Sequence, residues 1–190
     1  MSVTHQAGGM GQERFRRSGK PAQPLWSTQV MLDMPGLVGQ VHADYVASGA
    51  QVVTTNTYAI HRDRLRGGAA NHYASGEADL PDREHLLEEF LTLALDEAEA
   101  VRGKATIAGA VGPLGASYRA DLNPPFEEAV RLYAEVACIL APRVDVIVFE
   151  TIASAEAARA CLAAGRQTER PVWFAVTVDD EDGTRLRSGE

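Results

Sequence analysis

The chain has 190 residues, of which 45% are hydrophobic and 23% charged, a composition able to build one globular core. Its net charge of −8 argues against nucleic acid or an anionic membrane surface as a partner. No apolar run reaches the length of a membrane span, and the N-terminus lacks the apolar stretch of a signal peptide. Two cysteines, Cys138 and Cys161, do not make a disulfide framework, so a cytoplasmic protein is expected.

In chain order, Val3 to Gln6 is a degraded candidate for a first strand. It runs into HQAGGMGQE, where Gly8, Gly9 and Gly11 allow a sharp bend or the close approach of a ligand. The stretch lacks the Lys-Ser/Thr of a phosphate loop and the full dinucleotide spacing. Pro35 suits a first helical position, Val38, Val41, Tyr45 and Val46 share one helical face, and Gly49 suits the position past the end. QVVTTN (51–56) reads as a short buried strand. After a loop rich in Gly, Ala and His, a helix occupies about 82–102, with Gly103 as its stop. TIAGAVG (106–112) is a strand, and Asn123 with Pro124 and Pro125 opens the helix FEEAVRLYAEVACILA. DVIVFE (145–150) is a continuous apolar run of the kind buried on both faces. Ser154 caps the helix AEAARACLAAG, and PVWFAVTV (171–178) is a final strand.

Strands alternating with helices imply parallel pairing through helical crossovers. An open doubly wound sheet and a (β/α)8 barrel both satisfy that pattern. Polar residues at the C-terminal ends of several strands favour the barrel, whereas its usual length of about 250 residues does not.

Glu150, ending an apolar strand, stands where a partly desolvated carboxylate accepts hydrogen bonds from a substrate ammonium or acts as a base. Bracing a loop or capping a helix explains it equally. Asn56, Thr57 and Tyr58 form a polar cluster that suits a small polar substrate, or a loop that satisfies its own backbone. Trp26 and Ser27 can wall and hold a ligand, although an isolated Trp is more often core. The basic run His61, Arg62, Arg64 and Arg66 reads as a solvated face, and both cysteines read as small core residues. The five histidines (5, 42, 61, 72 and 85) show no zinc-ligand spacing, so no metal ligand is assigned.

Five blocks in order resemble the homocysteine S-methyltransferase family: GGMGQE; PLWSTQVMLDMPGLVGQVHADYVASGAQVVTTNTYAIHRDRL; IAGAVGPLGASY; VDVIVFETIASAEAARA; and GTRLRSGE. The resemblance runs from Gly8 to Glu190. It implies a (β/α)8 TIM barrel of the homocysteine-binding type, with residues 1–190 as a single incomplete barrel domain carrying about the first five strand–helix units. It implies an enzyme that moves a methyl group from S-methylmethionine, S-adenosylmethionine or betaine to the thiol of homocysteine, giving methionine. Glu150 would hold the homocysteine ammonium as the principal catalytic-site residue. Trp26 and Ser27 would place the amino-acid end, Asn56, Thr57 and Tyr58 would shape the floor, and Gly8 and Gly9 would admit the substrate. The family's cofactor is zinc, which would deprotonate the thiol.

Two departures stand out. Ala7 occupies the place of the family's Asp before the two glycines. The family's three zinc-ligating cysteines fall after the sixth strand and near the eighth, and neither Cys138 nor Cys161 matches them. The chain alone is therefore expected to be inactive. A non-catalytic, degenerate relative that binds homocysteine or another amino acid is the alternative, and a metal-free barrel lyase or transferase with Glu150 as base a weaker one. Unpaired strand edges make a homo-oligomer possible.

Overall fold

Four apolar segments pair into one sheet: β1 (Val52–Thr54), β2 (Thr106–Val111), β3 (Val146–Ile152) and β4 (Val172–Val176). They lie side by side in chain order, every pair parallel. The computed structural model describes residues 3–19, 27–66 and 81–190. The loop read as rich in Gly, Ala and His falls largely in 67–80 and lies outside the described residues, as does Trp26.

The segment before β1 has shrunk to a bridge. Gln6 pairs in parallel with Val52, His5 accepts a hydrogen bond from the Gln51 N–H at 2.8 Å, and Ala7 donates one to the Val52 carbonyl at 2.8 Å. It extends the sheet past β1 on the side away from β2, where a first strand belongs.

Seven helices carry the crossovers: α1 (Met10–Ser18), α2 (Ser27–Asp33), α3 (Leu37–Ala47), α4 (Arg62–Leu65), α5 (Leu87–Ala98), α6 (Phe126–Leu140) and α7 (Ala155–Gly165), counted among the described residues. Short 3₁₀ turns at Glu84–Leu86 and Glu99–Val101 flank α5, so the helix expected over 82–102 is three consecutive pieces, ended by Gly103 at φ +78°. α6 and α7 match their expected spans, and the Ser154 hydroxyl accepts from the Ala157 N–H at 3.1 Å.

Three expectations need correction. α3 starts at Leu37, after Gly36 at φ +86°, and Pro35 stays outside it. Gly36 brings no capping side chain. Its role is filled by the buried Glu97 of α5, whose carboxylate accepts from the Gly36 N–H and from the Gly39 N–H at 2.7 Å. A carboxylate there also meets the positive end of the helix dipole. The basic run is not a solvated face: His61 and Arg64 are buried, and only Arg62 and Arg66 reach outward, to Glu135 and Glu84. Cys138 is exposed, because α6 turns Ala134, Ala137 and Leu140 inward instead; Cys161 is buried.

The two faces of the sheet differ. Val53, Ile107, Val111, Ile147, Phe149 and Ile152 join one large core with α3, α5, α6 and α7, in which Tyr133 and Phe149 meet edge to face at 5.7 Å. Each such buried side chain contributes about 1.5–3 kcal/mol. The opposite face carries a cluster of strand residues alone, Val52, Ala108, Ala110, Val146 and Val148. The described helices thus pack on one side, whereas a doubly wound sheet is covered on both. Among the described residues no helix is long and apolar enough to cross a membrane.

Candidate active site

The polar residues that follow the strands converge at one end of the sheet. A cavity of about 540 Å³ opens there, lined by Ala7 and Gly8 from the first turn, Gly11 and Arg14 from α1 and Ser27 from α2. Thr54 at the end of β1, Thr55, Asn56 and Tyr58 after it, Ser117 and Tyr118 after β2, and Glu150 and Thr151 of β3 complete most of its wall. A cavity at the C-terminal ends of parallel strands is the usual place for a ligand in this class of fold.

Glu150 enters through a break in β3. The β3–β4 register shifts between Phe149 and Ile152, and Thr151 sits at φ +63°. A β-branched residue in left-handed backbone is strained, and such strain concentrates at working sites. Glu150 is half-buried, and among the described residues its carboxylate has no hydrogen-bond partner or ion pair. Burial raises its pKa above the ordinary carboxylate value, with the nearby Arg14 charge opposing.

The cluster after β1 divides its labour. Thr57 is fully buried and turns into the sheet, its hydroxyl donating to the Ala110 carbonyl at 2.5 Å and meeting Thr55 Oγ1 at 2.6 Å. Asn56 is committed at both ends of its amide: Nδ2 donates to the Ser27 carbonyl at 3.0 Å, and Oδ1 accepts from Arg14 Nη1. Tyr58 faces the cavity, its hydroxyl 2.7 Å from Ser117 Oγ. Gly112 makes room for it, because a side chain there would collide with the Tyr58 carbonyl and ring. Arg64 lies over the Tyr58 ring at 5.1 Å and donates to the Pro113 carbonyl at 2.6 Å.

Of the residues expected at a site, Gly8, Ser27, Asn56, Tyr58 and Glu150 share the cavity wall. Gly9 stands just behind it as the residue before α1, and Thr57 lies beneath. Neither Gly8 nor Gly9 has positive φ, and a methyl group on Gly8 would rest 3.7 Å from Tyr45. Neither glycine is therefore required by a left-handed bend, and a methyl group at either would make only ordinary contacts. Sequence reasoning missed Arg14, Arg64, Ser117, Tyr118 and Thr151. Arg14 carries no sequence signal of burial, since a charged residue on a helix defaults to water.

The described residues do not fit a zinc ion: no three His, Cys, Asp or Glu side chains among them converge into a metal-holding group. What they offer is a polar pocket with one carboxylate and two guanidinium groups on its wall.

Comparison with known proteins gives this pocket a setting. The chain is 30% identical over 200 residues to the homocysteine S-methyltransferase of Escherichia coli strain K12, covering 95% of this chain and 61% of that protein. It is 29% identical over 210 residues to the selenocysteine methyltransferase of Astragalus bisulcatus, covering 97% of this chain and 60% of the relative. The chain thus spans about 60% of the length of these curated relatives. The crystal structure of the homocysteine methyltransferase MmuM from Escherichia coli in its metallated form superposes with a TM-score of 0.79 at 23% identity, covering 99% of this chain and 67% of that one. At that identity the likeness speaks for the fold. The model of the homocysteine S-methyltransferase family matches residues 6–190, and the chain belongs to that family.

Proposed function

We propose that these residues form the homocysteine-binding part of a (β/α)8 barrel enzyme that methylates the thiol of homocysteine to give methionine. Three features support a barrel: strands in unbroken chain order, helices on one face, and a cluster of strand residues alone on the other. The observation that carries the function is Glu150, a half-buried carboxylate with no partner among the described residues, on the wall of a cavity of about 540 Å³ at the ends of the strands. An ammonium group beside it would replace water as its partner in a low-dielectric site, where the interaction is strong.

In this reading Glu150 anchors the amino group, while Tyr58, held by Ser117 and Gly112, and Ser27 wall the amino-acid end. No step through zinc is derived from these residues. A small methyl donor, S-methylmethionine, S-adenosylmethionine or betaine, would approach the thiol end.

The test is calorimetric titration of the full chain with L-homocysteine. Glu150→Gln, nearly isosteric, is expected to weaken binding by about 10- to 100-fold while leaving the circular dichroism unchanged, the usual cost of losing a charged hydrogen-bond partner. Because the ammonium needs an ionised Glu150, affinity in the unsubstituted chain falls as pH drops through a midpoint above the ordinary carboxylate range. Equal affinity of the two proteins at neutral pH would rule this reading out. A second reading, an amino-acid-binding relative without turnover, has Ala7 behind it, on the wall where the family's Asp is expected. Binding of homocysteine without methyl transfer by the complete protein would select it.

A further inference from the structure

Arg14 is 4% exposed, yet no carboxylate forms an ion pair with it among the described residues. Its Nη1 donates to the neutral Asn56 amide, its Nη2 approaches only the Met10 sulfur at 3.8 Å, and its Nε has no hydrogen-bond partner. A buried guanidinium with neutral partners and an idle N–H is costly to the fold. Burial lowers its pKa only to about 10, so the side chain stays a cation at neutral pH. Its position is not loose: Asn56 grips it, and the Ser27 carbonyl fixes Asn56.

This cation lines the same cavity as Glu150, close enough for the two charges to act on each other, but the two form no ion pair. Arg64, the other cation on the wall, is occupied with the Pro113 carbonyl and the Tyr58 ring. The cavity therefore presents a cation held in place by Asn56 and, apart from it, the free carboxylate of Glu150, each short of partners. That is the complement of a zwitterion, with an ammonium on one side and a carboxylate on the other.

We infer that Arg14 is the carboxylate-binding residue of the site, pairing with the α-carboxylate of the amino-acid substrate while Glu150 takes its ammonium. The inference rests on the proposed homocysteine pocket and adds to it the group that recognises the acid end. It also explains why a fold would keep a buried, under-paired arginine: the ligand completes its hydrogen bonds.

The experiment crosses two variants with three ligands, titrated by calorimetry into the full chain under reducing conditions. The ligands are L-homocysteine, its decarboxylated analogue (an aminopropanethiol) and its deaminated analogue (a sulfanylbutanoate). Arg14→Met is expected to weaken homocysteine and the deaminated analogue by about 10- to 100-fold and to leave the decarboxylated analogue within about twofold. Glu150→Gln is expected to do the reverse for the two analogues. Arg14→Lys keeps the charge and is expected to recover part of the loss, which separates recognition from packing. A thermal melt of Arg14→Met at or above that of the unsubstituted chain confirms that the variant folds. If Arg14→Met weakened all three ligands alike, or none, the inference would be overturned while the homocysteine pocket stood. If the unsubstituted chain bound neither homocysteine nor either analogue, the proposed function would fall and the inference with it.

Discussion

Strands β3 and β4 are neighbours with nearly the same chemistry, VIVFETI beside VWFAV, and their fates differ. β3 has a strand on each side and helices on one face, and its first four residues are buried. β4 stands at the sheet edge, with Trp173 42% and Val176 50% exposed. Its Phe174, 40% exposed, stacks on Phe149 of β3, with ring centroids 5.7 Å apart and planes 19° apart. An apolar run records a demand for neighbours, not their presence.

The sharpest way to break this comparison is to truncate the two stacked rings separately. Phe149→Ala is expected to cost about 3–5 kcal/mol in urea denaturation, as for a fully buried ring, and Phe174→Ala no more than about 1 kcal/mol. Similar losses would mean that β4 is as well covered as β3.

The next effect separates the buried core from the edge by pH. His42 and His61 are both buried among core residues, and burial, with Arg14 and Arg64 respectively adding to it, lowers each pKa to about 3. Between pH 6.5 and 3 the unfolded chain binds protons that the folded chain does not. Stability is therefore full above pH 6.5 and is lost on acidification, by up to about 1.4 kcal/mol per pH unit for each histidine. His42→Leu should flatten that slope by about half in denaturation midpoints taken from pH 6.5 to 4. An unchanged slope would show that His42 is charged or solvated in the fold.

The smallest effect belongs to β4 itself. An exposed apolar edge strand is a template for self-association. Trp173→Lys is expected to reduce concentration-dependent association in sedimentation velocity while shifting the melting temperature by only a few degrees. Association that persists in this variant would place the contact elsewhere.

How far the sequence can be read follows the same logic. The strands, α6 and α7 were legible because apolar periodicity and the Ser154 cap speak locally. α1 was not, because the buried positions of MGQERFRRS include Arg14 rather than an apolar stripe. α2 was hidden in a stretch whose dominant mark is Pro35, which belongs to the turn after it. The burial of Arg64 depends on a carbonyl 49 positions away, and no local pattern encodes that partner. For the site, residues at strand ends were found by position in the alternating pattern, whereas those that enter from helices or positive-φ loops, Arg14 and Tyr118 among them, had no such address.

The clamp of Glu97 on helix α3 has a consequence for the order in which the chain matures. The amides that open α3 wait for a carboxylate 58 to 61 positions downstream. As the polypeptide leaves the ribosome, α3 emerges well before α5 and must keep those amides hydrated until α5 docks. The N-terminal third of the molecule cannot finish on its own, because the opening of α3 is completed by a helix made later in the chain.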